Sequence, residues 1–432
     1  MKRYLTNLLL LLSAMPALLL PGSAEAVPAF ARQTGQNCVA CHAGGLFPEL
    51  TPYGRIFKLT GYTIGERAMP LSVMGVLTGT KERVNDPAAG KTLDGSLIFN
   101  TGSLFIAGKI TDNIGGFAQI TYNNYDSQNP DTLKWSGHSG SDNLDVRYAD
   151  RFIDGDRDLI FGLTLHNNPG VQDVFNSAPA WGYGVVPGST GAGSATATML
   201  DGGLGQQVAG MGGYAYWNRT VYAELTGYKT GDGVFSLLTQ GNGGQLYLKG
   251  TNPYVRLALT KEWGPHNAMI GLTHLDARLY SDQTNLSGPT DRFRDSGIDA
   301  QYQYILDPYT ATATITRIHE TIAPGMPGLL GDTVNSLRAK ASFVYKSTYG
   351  AGLSYFNYSN TGNSSTTLSA VDAQYGTRGW TPEVFWRPVQ YVRLGLQYTA
   401  FNRVNGLSTN TDGAGRNAKD DNTLFFYVWG AY

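Results

Sequence analysis

The chain has 432 residues, with 32 basic against 33 acidic side chains and a net charge of −1. So even a balance weighs against a nucleic-acid partner. Two cysteines in a chain of this length leave packing, not disulfides, to hold the core. Abundant glycine (55) and tyrosine (26), with only 15% charged residues, is the composition of many strands joined by polar turns.

Lys2 and Arg3 precede an apolar run from Leu8 to Leu20, and Ala24-Glu25-Ala26 forms a small-x-small cleavage site. Residues 1–26 therefore read as a secretory signal peptide, with the mature chain starting at Val27. Pro16, Pro21 and the Ala-x-Ala site weigh against a retained anchor. No cysteine follows the run, so nothing suggests a lipoprotein. Beyond Val27 there is no stretch of about 18 apolar residues, and no membrane helix is expected.

Residues 27–70 differ from the rest. They hold QNCVACHAGG, Gln36 to Gly45, and with it both cysteines of the chain. Cys-x-x-Cys-His is the attachment site of c-type haem. Two thiols at this spacing can add to the two vinyl groups on one porphyrin edge, and the adjacent His42 is then the proximal iron ligand. A structural zinc site would take four protein ligands, and no second cysteine pair exists. An exchanging dithiol would sit at a helix start within a βαβ unit, and none is visible. One covalent haem c on Cys38, Cys41 and His42 is the expectation.

The sixth ligand is not readable. Met69 and Met74 are candidates, against the plainer reading of packing near the first strand. His138, His166, His266, His274 and His319 are scattered without metal-binding spacing and read as structural. Behind the motif, Thr51-Pro52 predicts a short helix, Thr51 capping free amides and Pro52 occupying the first position. Gly61 marks its end, and Tyr53, Ile56 and Phe57 share its apolar face. Arg55 and Lys58, three apart on it, are either partners for haem propionates or a solvated face.

From Leu71 the period is two. Leu104, Ile106 and Ile110 share one face; Phe105, Ala107 and Lys109 share the other. Val392, Leu394, Leu396, Tyr398 and Ala400 alternate with Arg393, Gln397 and Thr399. Leu337 to Tyr345 repeats this, with Arg338, Lys340 and Ser342 on the polar side, as do Leu144 to Tyr148 and Val255 to Leu259. Roughly 16 such segments, each of about 9–11 residues, run from 71 to the C-terminus at Tyr432. Short connections (Arg387 to Gln390, Glu262 to Pro265) contrast with long polar ones (Val186 to Gln206, Asn402 to Lys419). A soluble β-sandwich also alternates, but polar faces carrying Arg, Lys, Gln and Asp favour a membrane barrel. In lipid a sheet must close, because unpaired edges are prohibitively costly. The expectation is an all-β chain: a transmembrane antiparallel β-barrel over 71–432 and a small N-terminal haem-binding helical and coil segment over 27–70.

The wording of the head is familiar. Val27 to Gly35 before the motif, and Phe47 to Thr63 after it, resemble the fused outer-membrane cytochrome–porin family, whose best-known members are bacterial iron-oxidising monohaem cytochromes. Asn167 to Trp181 resembles that family's long insertion after a barrel strand, and Arg387 to Tyr398 one of its late segments. The resemblance implies one haem held by Cys38 and Cys41 with His42 as proximal ligand, in a barrel of about 16 strands. It also implies oxidation of extracellular Fe(II), electrons passing to a periplasmic cytochrome or similar carrier, in the outer membrane of a Gram-negative bacterium. The competing readings are a solute porin with a haem-bearing plug, and an electron conduit with another donor. No Fe(II) site is named; Asp142, Asp145, Asp420 and Asp421 read as solvated carboxylates.

Overall fold

The structure, a computed structural model, describes residues 28–84, 93–177, 183–187, 198–239, 245–361 and 376–432. The signal-peptide segment 1–26 and part of the Asn167–Trp181 stretch lie outside them. Sixteen antiparallel strands close into one barrel in which every strand pairs with its sequence neighbours and the last pairs with the first. They are β1 Leu71–Glu82, β2 Leu97–Lys109, β3 Ile114–Gln128, β4 Trp135–Asp154, β5 Arg157–His166, β6 Ala209–Trp217, β7 Val221–Lys229 and β8 Asn252–Trp263. The second half comprises β9 His266–Tyr280, β10 Thr290–Leu306, β11 Tyr309–Ala323, β12 Asp332–Tyr345, β13 Tyr349–Asn360, β14 Arg378–Val389, β15 Val392–Arg403 and β16 Thr423–Ala431. The expected period of two is what builds this wall. In β8, Val255, Leu257 and Leu259 point outward, while Tyr254, Arg256, Ala258 and Thr260 are buried within. Apolar side chains outside and polar ones inside define a barrel that faces lipid.

The two ends differ. Connections such as Gly264–Pro265 between β8 and β9, and Gln390–Tyr391 between β14 and β15, are tight turns. At the opposite end the connections are long. In barrels of this type short turns face the periplasm and long loops the outside. Exposed Trp217, Trp263, Tyr309, Tyr345, Tyr349 and Trp386 lie toward the short turns, a belt of aromatic rings at the headgroup level. Closure is completed at the short-turn end, where Val73 and Tyr432 exchange both backbone hydrogen bonds at 2.7 and 2.8 Å.

The lumen is occupied from both ends. Residues 28–70 form three short helices, α1 Pro28–Thr34, α2 Cys38–Cys41 and α3 Pro52–Leu59, set against inward-facing wall residues from the short-turn end. The long β5–β6 connection turns in from the other side. It carries α4 Pro169–Gln172, capped by the Asn168 side chain on the Gly170 amide at 2.9 Å. The two meet where the Leu50 amide donates to Asn176 Oδ1 at 3.2 Å, and the wall holds the connection there through Gln301 Nε2 on β10, which donates to the Phe175 carbonyl at 3.2 Å. Asp173 pairs with Arg256 at 3.1 Å, and Arg256 is also held by Asp299 through two bonds of 2.9 Å. The guanidinium groups of Arg55 and Arg256 lie 5.4 and 5.3 Å from the centroid of the Phe175 ring.

One strand departs from simple alternation. Leu144 shares the outward parity of Val146 and Tyr148, yet it is buried. A 3-10 turn at Gly233–Leu238 from the β7–β8 connection lies on the outer wall, and Leu238 and Phe235 cover Leu144 together with Ala209. A local pattern could not reveal that cover.

Candidate functional site

The two cysteines occupy a single helical turn, α2, and His42 follows as its C-cap, its amide donating to the Cys38 carbonyl at 2.8 Å. No Asn37 side-chain cap starts this turn. Its first amide is met by the barrel instead: Gln390 Oε1 accepts from the Cys38 amide at 3.3 Å, and the Gln390 carbonyl lies 3.6 Å from the Cys38 sulfur. Thr51 ties α2 to α3. Its Oγ1 accepts from the Gly54 amide at 3.1 Å, as the expected cap, and donates to the Ala40 carbonyl at 2.5 Å. The two helices cross so closely that a Cβ on Gly54 would lie 2.1 Å from the Cys41 carbonyl oxygen.

The His42 imidazole is half-buried. It packs edge-on against Phe47 with ring centroids 4.3 Å apart, and Phe47 leans on Trp429 of β16 at 5.1 Å. Its Nδ1 is buried with no hydrogen-bond partner among the described residues. Burial, reinforced by the nearby Arg387 cation, pulls the ring's pKa down to about 3 against an opposing hydrogen bond to the Pro48 carbonyl. The ring is therefore neutral at ordinary pH, the form that binds a metal. Burial also pushes the Cys41 thiol up to about 11, whereas exchanging dithiols depend on lowered thiol pKa values. Among the described residues no group of three or more His, Cys, Asp or Glu is placed to hold a metal ion, so zinc finds no further ligands beside the motif. Two thiols on one turn, an adjoining neutral imidazole with an unpartnered nitrogen and an aromatic wall fit a tethered haem.

The sequence's other candidates fall differently. Met69 is 63% exposed, on the strand-ward segment whose carbonyl accepts from Arg32. Met74 faces the lumen and packs with Phe47, Val76 and Phe425 against Tyr427 and Trp429, the group that borders His42. Arg55 and Lys58 do not form a solvated face; both are buried against the wall. Arg55 donates to Asn267 Oδ1 at 2.7 Å, Gln303 Oε1 at 2.9 Å and Gln301 Oε1, and Lys58 to the Val171 carbonyl. Burial pulls Arg55 down to about 10 and Lys58 to about 8, the Arg147 cation adding to the latter. These donors fasten the head to the barrel. The expected apolar face also splits: Phe57 is buried against Phe30 at 5.0 Å, while Tyr53 is 37% exposed.

Inward charges are paired too. Lys340 fastens Glu49 of the head at 2.5 Å, Arg338 holds Asp201 of the long connection, and Arg393 pairs with Glu383 across β15 and β14 at 2.7 Å. The carboxylates expected to be solvated are mostly buried. Asp145 holds Arg147 at 2.8 Å and the Tyr62 hydroxyl at 2.6 Å, Asp142 accepts from Thr121 at 2.7 Å, and Asp421 pairs with Arg416 at 2.5 Å. Asp420 closes a capping box with Asn417. Each histidine outside the motif has a partner of its own: His138 Asp126, His166 Tyr228, His266 Tyr302, His274 Ser296 and His319 Asn335. Sequence reasoning missed Gln390 and Arg387. On sequence both fall in a short connection that opens a family-like late segment; in the structure Arg387 still belongs to β14 and only Gln390 lies in the turn, and nothing local announces that either meets the loop of Cys38 and His42.

A closed, even-stranded antiparallel barrel with an apolar outside and a filled polar inside is a membrane-spanning barrel of the outer-membrane type. Among solved structures the chain is similar to OmpT of Vibrio cholerae carrying a loop L8 deletion, at 10% identity and a TM-score of 0.43, over 84% of this chain and 98% of that one. It is also similar to OmpF of Salmonella typhi in complex with daunomycin (10% identity, TM-score 0.48, 84% and 97% covered). The outer-membrane channel DcaP of Acinetobacter baumannii is similar at 13% identity, with a TM-score of 0.45 and 84% and 96% covered. No family model matches the chain, and no curated protein aligns with it.

Proposed function

We propose that this chain passes electrons across the outer membrane through one c-type haem, taking them from extracellular Fe(II) and yielding them to a periplasmic carrier. The observation that carries the reading is the gathering of Cys38, Cys41 and His42 on one turn, inside the short-turn mouth of a membrane barrel. Cys38 and Cys41 would hold the group as thioethers, and His42 would offer its neutral ring to the iron. Gln390 fixes the start of the turn, while Phe47, backed by Trp429, packs edge-on against the imidazole. A haem held there supplies a reversible one-electron couple. Cys41 and Tyr53 stay partly open to solvent, so the mouth that faces the periplasm leaves an approach for a soluble carrier. Met74 is the favoured sixth ligand, since it shares the packing of Phe47 and Trp429 and Met69 does not.

The reading of a solute porin is disfavoured by the filled lumen. The head and the β5–β6 connection enter the lumen from opposite ends and are bonded to its wall through Arg55, Lys340 and Asp173. The test uses protein purified from outer membranes and checked for covalent haem by peroxidase staining on a denaturing gel. Fe(II) is added without oxygen near neutral pH. Prompt appearance of the ferrous spectrum is expected; a haem that stays ferric while the protein passes large solute currents in a planar bilayer assigns the porin instead.

A further inference from the structure

Arg387 lies near the end of β14 with its side chain turned into the lumen and 4% exposed. Its Nη1 donates to the Gly44 and Gly45 carbonyls at 2.9 and 2.5 Å, two and three residues past His42. Nε is buried with no hydrogen-bond partner, and no carboxylate lies within ion-pairing distance among the described residues. The other buried arginines of the lumen are compensated. Arg147 has Asp145, Arg256 has Asp173 and Asp299, and Arg393 has Glu383. Arg55 lacks a carboxylate, but three side-chain amide oxygens accept from it. Burying a guanidinium with two backbone acceptors and no counter-charge is costly. The position is built for an anion that the polypeptide does not provide.

The contact that holds Arg387 there is specific. A Cβ on Gly45 would lie 1.5 Å from Arg387 Nη1, and Gly45 has φ of 71°. Gly44, with φ of 58°, would meet Val344 at 2.7 Å in the same way. The glycine pair that follows the motif therefore lets the barrel press a cation against the loop carrying His42. Gln390, three residues further on in the β14–β15 turn, holds the Cys38 amide. The barrel thus supplies two groups to a site whose covalent anchors all lie in the head.

We infer that Arg387 is the anion-binding group of the haem site and pairs with a propionate carboxylate of the attached porphyrin. The inference rests on the haem reading above. Planar bidentate geometry suits a guanidinium to a carboxylate, and a retained cation near the iron favours the reduced state. Loss of one charge about 12 Å from the iron would shift the ferric–ferrous balance toward ferric by roughly tenfold at an effective dielectric constant of about 20.

The experiment compares full-length wild type, Arg387→Gln and Arg387→Lys, purified from outer membranes. Haem content comes from the peroxidase stain, the ferric–ferrous balance from a fixed redox buffer, and the propionate carboxylate bands from redox-difference infrared spectra. The expected result is covalent haem in all three, a balance moved toward ferric by roughly tenfold in the Gln variant, a smaller movement in the Lys variant, and shifted propionate bands in both. Covalent haem with an unmoved balance and unmoved propionate bands in the Gln variant overturns the assignment. If the Gln variant does not accumulate, the Lys variant decides by its infrared bands alone: shifted bands support the pairing, unchanged bands overturn it. Absence of haem from the wild type overturns the haem reading itself, and this inference falls with it.

Discussion

Gly54 sits where two helices touch, and the sign of a substitution there follows from magnitudes. Alanine would favour α3 by up to about 1 kcal/mol through helix propensity. Its Cβ would meet the Cys41 carbonyl oxygen at 2.1 Å, and backbone cannot yield as a flexible side chain can. Overpacking of this kind costs about 1–3 kcal/mol, so Gly54→Ala is expected to be destabilising and to lower the haem carried per barrel, read by peroxidase stain against total protein. Lys58 supports a prediction in pH. Its folded pKa, pulled down to about 8, lies below the ordinary 10.5. Between those values the unfolded chain binds more protons, so this group makes stability rise with pH. Thermal midpoints measured across that window should rise more steeply for wild type than for Lys58→Met; identical slopes would show that Lys58 is not buried as described. The Cys-x-x-Cys-His motif and the Thr51 cap were legible because each is a local pattern. That Arg55 and Lys58 face the wall was not, since their acceptors stand on β9, β10 and the long connection. Nor was Gln390, whose bond to Cys38 spans 352 positions.

Alternation in the strands carried most of the element-scale reading, because one parity meets lipid and the other the lumen. Leu257 is outward and 50% exposed; Leu257→Arg should cost about 2–4 kcal/mol near the bilayer midplane. Equilibrium unfolding in lipid vesicles checks this. Leu144 shows where alternation stops informing: the cover comes from Gly233–Leu238, almost a hundred positions on. The inward connection depends on Asp173. Burial works to raise its carboxyl, but Arg256 and hydrogen bonds from Ser177 and Phe175 outweigh burial and hold it below the usual 3.8. The clamp is therefore complete above the unfolded value and is lost only as pH falls through the lower folded one. Removing one partner of a buried pair costs about 3–5 kcal/mol. Asp173→Ala is expected to loosen the connection and raise single-channel conductance at neutral pH. Wild type should match it only in strong acid; equal conductance of both proteins at every pH would count against the clamp.

At the scale of the molecule, head and barrel are fastened by Lys340–Glu49, by Asp145 to Tyr62, by the Arg55 amide cluster and by the turn at Arg387 and Gln390. Removing residues 28–66 should leave the strands able to close, since they pair only with one another, and should produce an open, non-haem pore in planar bilayers. Truncating Leu424–Tyr432 should abolish the folded barrel, because β1 and β15 would both lose their partner.

The burial of Cys38, 1% exposed beneath the Gln390 turn, dictates a chronology of biogenesis. An attachment enzyme needs to reach that sulfur, and the finished cylinder denies access. On the proposed haem reading, prosthetic loading would have to precede insertion, and the precursor would wait in the periplasm already pigmented. Pulse-labelled cells should show stained, heat-insensitive intermediates before any heat-modifiable form; colourless mature barrels acquiring pigment later would reverse that order.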